Sequence, residues 1–286
     1  MLNFSRIWKK LLQDSDYSSM SCQTTPIAYS LDIGSLSDKG CSRTINQDYI
    51  GLVSSPDGND FLVVLADGMG GHQAGDIASR IAVEEVQHNY FVQLKKRSPE
   101  QALNWSFQKA NTAVFTCAQQ SPEYQGMGTT LVALSLHESA AYFAFTGDSR
   151  LYLIQDDAIH QLSHDHTLVA EMLRQGLITA EQAKDHPEKH LITHAIGTQK
   201  KPFVDISNTP LVFQPGDCFL LCSDGLYDLV EDIEMLEWST TYSAQQACQG
   251  LIDLANSRGG YDNISVVVIK IQKGVSILNE TPITRS

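Results

Sequence analysis

Five aspartates stand where apolar runs meet loops: Asp48, Asp67, Asp148, Asp224 and Asp262. Phe61 to Ala66 is an unbroken apolar run that ends in Asp67-Gly68 and opens into four glycines within eight residues. Cys218 to Ser223 runs in the same way into Asp224-Gly225, Tyr142 to Phe145 leads into Gly147-Asp148-Ser149-Arg150, and Asp262-Asn263 stands directly before ISVVVI. Carboxylates at the ends of neighbouring strands can converge, at a cost: two like charges about 4 Å apart repel by ~4 kcal/mol even at an effective dielectric near 20. A converged cluster therefore requires cations. Donors that are all oxygen favour Mg2+ or Mn2+ over zinc, and no group of cysteines and histidines has the spacing of a structural zinc site. The glycines after Asp67, lacking side chains, let a backbone carbonyl approach an ion. These residues point to a divalent-metal centre.

The elements that must hold the carboxylates are legible in the apolar pattern. Phe61 to Ala66 is too short for a helix and apolar at consecutive positions, so it reads as a strand buried on both faces that ends at Asp67. A hairpin at Asp67-Gly68 is excluded by the next segment, because Ile77, Ala78, Ile81, Ala82, Val86 and Tyr90 are apolar at helical spacing behind Asp76. Ser98-Pro99-Glu100-Gln101 opens a second long helix with a capping box and proline at the first position. Strands are expected around Leu31 to Ile33, Tyr49 to Val53, Gly126 to Leu136, Ala140 to Phe145, Arg150 to Gln155, Phe203 to Ile206, Asp217 to Ser223 and Ile264 to Ile271. Short connections make successive strands antiparallel. The fold class is α/β (α+β): a four-layer α-β-β-α sandwich of two antiparallel sheets flanked by helices. Residues 163–197 interrupt the strands with two short helices and many histidines, and read as a helical flap beside the site. His164, His166, His186, His190 and His194 are placed on the flap surface. Residues 1–26 form an N-terminal extension with a short amphipathic helix and a linker, residues 27–272 the single domain, and residues 273–286 a flexible tail.

Six ordered motifs carry a family resemblance: Arg43-x-x-Asn46-Gln47-Asp48, Asp67-Gly68-Met69-Gly70-Gly71-His72, Gly126-x-Gly128-Thr129-Thr130, Gly147-Asp148-Ser149-Arg150, Ser223-Asp224-Gly225 and Asp262-Asn263. Over roughly residues 27 to 271 the chain resembles the metal-dependent serine/threonine protein phosphatases of the 2C type, the PPM family, in its bacterial form. The resemblance implies two bound ions, Mg2+ or Mn2+, with Asp67 bridging both, the Gly68 carbonyl on one, and Asp224 with Asp262 on the other. It implies a third, weaker ion shared by Asp148 and Asp224. Many eukaryotic members carry Glu where Gln47 stands, so Asp48 is expected to supply that charge through a water. Arg43 suits bidentate phosphate capture, and His72 is placed to protonate the leaving oxygen.

Composition agrees with such an enzyme and excludes other classes. A net charge of −13 over 286 residues argues against a nucleic-acid or anionic-membrane surface. No apolar run reaches the length of a transmembrane helix. The six cysteines show no paired framework, which points to a reducing, cytoplasmic setting. None is followed by arginine at the sixth position, which closes the thiol route to phosphate chemistry. The expected activity is hydrolysis of phosphoserine and phosphothreonine in proteins by a metal-activated water, on substrates of a serine/threonine kinase, by a monomer. Two alternatives stand beside it. One is a catalytically silent phosphoprotein-binding pseudophosphatase, and the other is a phosphatase of small phosphoesters.

Overall fold

The computed structural model describes residues 29–56, 58–71 and 74–274. The extension expected at residues 1–26, the tail beyond 274 and His72 lie outside the described residues. The first sheet has five strands in the order β1 (Tyr29–Asp38), β12 (Ile264–Lys273), β11 (Cys218–Cys222), β7 (Arg150–Gln155) and β8 (Ala158–Gln161). The second has seven: the path β10 (Leu211–Val212), β6 (Ala140–Thr146), β5 (Leu131–His137), β3 (Asp60–Met69), β2 (Asp48–Ser54), with β9 (Asp205–Ile206) beside β6 and β4 (Gly128–Thr129) beside β3. Neighbouring strands run antiparallel, as between β3 and β5 or β11 and β12.

The consecutive apolar residues of β3 divide between two cores, as strand geometry requires. Phe61, Val63 and Leu65 face the other sheet and pack with Leu151, Phe219, Leu221 and Val267. Leu62, Val64 and Ala66 face helices α1 (Ala74–Leu94) and α2 (Pro99–Ala118), against Ala78, Val86, Leu103 and Phe107. The first sheet repeats the device. Leu220, Val266 and Val268 pack outward on Met235 of α6 (Asp232–Thr241) and on Cys248 and Leu251 of α7 (Ala244–Ser257). Helix, sheet, sheet and helix thus form the four expected layers.

Several boundaries differ from the sequence expectation. β3 does not end at Asp67 but runs on to Met69, because Gly68 and Met69 pair with Thr129 and Gly128 of β4. Gly126 to Leu136 is broken at Thr130 into β4 and β5. Of the capping box at Ser98, the Oγ accepts from the Gln101 N–H at 3.4 Å. The flap holds α3 (Leu168–Arg174) and α4 (Ala180–Lys184), the latter with both limbs of the Thr179/Gln182 capping box. Asn111 of α2 anchors the end of the flap, since its Oδ1 accepts from Gly197 N–H and its Nδ2 donates to the Gln199 carbonyl.

Candidate metal centre

The five carboxylates converge where strands of both sheets begin or end. Asp48 opens β2 and pairs in register with Asp67 of β3. Asp148 lies in the turn from β6 to β7, Asp224 opens the one-turn helix α5 (Asp224–Tyr227) after β11, and Asp262 stands two residues before β12. Asp67 is held through its peptide groups. Its N–H donates to Thr130 Oγ1 at 2.9 Å, and its carbonyl accepts from the Thr130 N–H at 2.9 Å and from Thr129 Oγ1 at 2.8 Å. Asp48 Oδ2 accepts from Ser223 Oγ at 2.8 Å, and Ser223 Oγ in turn accepts from the Ser265 N–H at 2.9 Å.

Crowding leaves its mark on the protonation equilibria. Burial, then the charges of Asp48, Asp224, Asp148 and Asp262, holds the Asp67 carboxyl well above the usual carboxylate range. Burial and then Asp224 do the same to Asp148. Burial pushes Asp48 up to about 7 against the opposing hydrogen bonds of Ser265 and Ser223, and burial with the charge of Asp262 pushes Asp224 up to about 6.

The donor set fits divalent ions. Asp48 Oδ1 and Asp224 Oδ1 are buried without a hydrogen-bond partner, and an orphaned buried carboxylate oxygen is costly unless a cation takes it. At Gly68 a Cβ would fall 2.1 Å from the Gly75 carbonyl oxygen and 2.7 Å from that of Gln47, so only glycine keeps this backbone at the centre.

Arg43 reaches the same place from the loop between β1 and β2. Asn263 ties that loop down: its Oδ1 accepts from Gln47 N–H, and its Nδ2 donates to the carbonyls of Lys39 and Ile45. The Arg43 guanidinium bonds Asp262 Oδ2 at 2.7 Å while half exposed. It lines two cavities, one of about 690 Å3 shared with Gly70, Gly71 and Tyr124, the other of about 500 Å3 shared with Asp224, Tyr261 and His190.

One flap histidine departs from its expected surface placement, and a second stays on the surface but faces the centre. His166 is 2% exposed, folded under the flap against Phe145 and Phe203. His190 remains half exposed but leans over the centre, its Nδ1 3.9 Å from Asp224 Oδ2 and its Nε2 3.6 Å from Asp228 Oδ2. Of the residues expected from the sequence, Arg43, Asp48, Asp67, Gly68, Asp148, Asp224 and Asp262 are brought together.

Comparison with known proteins settles the family. The family model described as protein phosphatase 2C matches residues 41–253, most of the chain. The chain belongs to the protein phosphatase 2C family. Its relatives include the serine/threonine phosphatase stp of Listeria innocua, 38% identical over 244 residues, covering 83% of this chain and 96% of that protein. A serine/threonine phosphatase of S. agalactiae has the same fold, with a TM-score of 0.75 and 33% identity over 84% of this chain and 99% of that one. The catalytic domain of the serine/threonine protein phosphatase PstP, solved in complex with two manganese ions, is similar at a TM-score of 0.72 and 31% identity, covering 86% of this chain and 100% of that domain. As a member of the phosphatase 2C family, the chain has its carboxylate cluster and Arg43 inside the matched segment, apart from Asp262, which lies just beyond it.

Proposed function

We infer that this protein removes phosphate from phosphoserine and phosphothreonine in protein substrates, and that it depends on divalent metal ions. The observation that carries the reading is the buried carboxylate cluster with two orphaned oxygens directly beside Arg43, in a chain of this family. Asp67 and the Gly68 carbonyl, with Asp224 and Asp262, would hold two ions; Asp148 with Asp224 would hold a weaker third, and Asp48 would act from the second row. Mg2+ and Mn2+ both suit these oxygens. When bound, such ions neutralise phosphoryl charge and activate water for in-line attack.

The chain's own residues do the rest. Arg43 exchanges its bond to Asp262 for the phosphate oxygens, to which its planar fork is matched. The Asn263 clamp keeps the Arg43 loop from moving with it. Cavities on both sides of Arg43 give room for substrate residues before and after the phosphorylated one, which supports a peptide over a small phosphoester. The sequence assigns protonation of the leaving oxygen to His72, which lies outside the described residues. Substrates of a serine/threonine kinase, a monomeric state, a cytoplasmic location and the boundaries at residues 27 and 272 complete the proposal. Among the described residues no helix is long and apolar enough to cross a membrane.

Phosphate release from phosphoserine, phosphothreonine and phosphotyrosine peptides, with Mn2+ and after exhaustive chelation, tests the reading. Release from the first two, abolished by chelation and restored by Mn2+, is expected. Undiminished turnover after chelation would remove the metal centre, and hydrolysis of small phosphoesters alone would move the assignment to that alternative. Arg43→Ala is expected to raise KM about tenfold with a smaller change in kcat, because it removes ground-state phosphate capture. An unchanged KM in steady-state assays on the phosphothreonine peptide would take Arg43 out of the site.

A further inference from the structure

His164, His166 and Asp205 look at first like a second metal site, with one donor atom of each within 4.8 Å of the others. Both His164 Nε2, at 2.9 Å, and His166 Nε2, at 3.1 Å, point at Asp205 Oδ2. The far side of the His166 ring decides the matter. Its Nδ1 lies 3.1 Å from the backbone nitrogen of Gly147, whose N–H donates to it. A neutral imidazole has one acceptor nitrogen and one N–H. Nδ1 is the acceptor here, so Nε2 carries the proton and donates to Asp205. Histidines that bind metals have the reverse arrangement, with the remote nitrogen donating to a carbonyl or carboxylate. The ring is therefore set against ligation and for holding Gly147.

Gly147 and His166 are tied twice, since the His166 N–H also donates to the Gly147 carbonyl at 3.0 Å. Thr193 N–H donates to the His166 carbonyl at 2.8 Å, which fixes the pair to the returning limb of the flap. From the other side Gly147 is closed by Thr130. Its φ is +97°, and a Cβ there would lie 2.7 Å from Thr130 Cβ. The residue clamped between them immediately precedes Asp148, whose side chain is 2% exposed in the crowded cluster. Burial holds the His166 imidazole neutral, its pKa lowered to about 4, as acceptance of an amide proton at Nδ1 requires.

We propose that His166 is a positioning residue for Asp148: by accepting the Gly147 N–H on Nδ1, with Asp205 fixing the tautomer from Nε2, it aims the Asp148 carboxylate into the metal centre. The proposal rests on the reading of Asp148 as a ligand of the weakly held ion. It makes the flap part of the metal site, because Thr193 of the flap and Asp205 beyond it hold His166, and His166 holds the turn that carries Asp148.

Two substitutions separate the two ends of the ring. Asparagine places an acceptor oxygen near the Nδ1 position, and glutamine places its amide near Nε2. Mn2+ titration calorimetry on chelator-stripped protein, with turnover on a phosphothreonine peptide, is compared for wild type, H166N, H166Q and D148N. H166Q is expected to weaken the weakest Mn2+ class at least about fivefold and to lower kcat by a similar factor, with KM and the tight Mn2+ classes within about twofold of wild type. H166N is expected to recover most of both losses. Amide exchange of Gly147 reads the hydrogen bond without metal, and should quicken about tenfold or more in H166Q and much less in H166N. If H166Q does not fold, Asp205→Ala, at a side chain one-third exposed, should reproduce the pattern at about half the amplitude.

D148N separates the two ways of failing. If D148N leaves the weak Mn2+ class unchanged, Asp148 is no ligand and the proposal falls with that reading. If D148N loses that class while H166Q, or Asp205→Ala in its place, keeps it, Asp148 is a ligand but His166 does not position it. Equal losses in H166N and H166Q would show a structural role only. Stoichiometric Zn2+ or Mn2+ binding removed by His164→Ala would show that the cluster is a metal site after all, and would overturn the tautomer on which the proposal stands.

Discussion

Asp67→Asn is expected to lower kcat/KM at least about a thousandfold while raising the melting temperature of the metal-free protein. The loss follows from the place of Asp67, a carboxylate crowded by all four others, and a thousandfold corresponds to ~4 kcal/mol of transition-state stabilisation. The gain follows from the same crowding. In the absence of metal, burial and four neighbouring carboxylates oppose ionisation of Asp67, so folding near neutral pH requires it to take up a proton that the unfolded chain has released; an amide of the same shape is neutral without that cost and offers two N–H donors. Its peptide groups stay bonded to Thr129 and Thr130, so the local fold is retained. The expected gain is about 1 kcal/mol, or roughly 2–4 °C for a domain of this size. Scanning calorimetry in chelator and steady-state kinetics in Mn2+ check the two halves. Lost activity with a lowered melting temperature would make Asp67 a fold-supporting residue, and wild-type turnover would remove it from the centre.

That coupling of lost activity to gained stability is legible in the sequence, because it depends only on which residue types end the apolar runs. The two-faced burial of β3 and β11, and hence the four layers, follows from consecutive apolar residues too few for a helix. The features that the sequence hides depend on partners far along the chain. β3 runs past Asp67 because β4 supplies ladder partners to a glycine-rich stretch that by itself reads as a loop. β8 is a half-buried edge strand, Ala-Ile-His-Gln, with no clear alternation. Helix α7 is hard to see in the sequence although Ser243 and Gln246 form both limbs of a capping box and Ala247, Leu251 and Ala255 give one buried face; its three glutamines obscure the stripe. His166 sits in Ser-His-Asp-His-Thr, as polar as any surface loop, and its burial is explained by distant partners: Phe145 and Phe203 against the ring, with Gly147 and Asp205 at its two nitrogens. His190 is visible as part of the centre only once the flap is folded over Asp224.

The metal-free protein is also expected to melt lower at pH 8 than at pH 6.5, and Mn2+ to reverse that order. An unfolded aspartate releases its proton near pH 3.9. In the fold Asp48 is pushed up to about 7, with Asp67 and Asp148 also raised, so at and above pH 6.5 the native state binds protons that the unfolded chain has lost. Stability then falls as pH rises, because the slope follows protons bound unfolded minus protons bound native. The contribution is fully present below about pH 4 and is lost as pH climbs through the folded values. His166, lowered to about 4, acts in the opposite sense, chiefly below the unfolded histidine value near 6.5, and offsets only ~0.4 kcal/mol of the fall between pH 6.5 and 8. The buried thiols of Cys218 and Cys248, both pushed up to about 12, add to the fall only near pH 8 and above. A difference of about one proton over this window amounts to roughly 2 kcal/mol before solvent screening, or several degrees. Metal ions replace those protons. Their binding requires ionised carboxylates and so strengthens with pH, and saturation at a hundred times Kd adds ~2.7 kcal/mol. Calorimetric scans at fixed ionic strength, in chelator and in excess Mn2+, at both pH values check the sign. A metal-free melting temperature that rises from pH 6.5 to 8 would mean that Asp48, Asp67 and Asp148 do not hold protons above the usual carboxylate range in the fold, and would remove the premise of a crowded cluster.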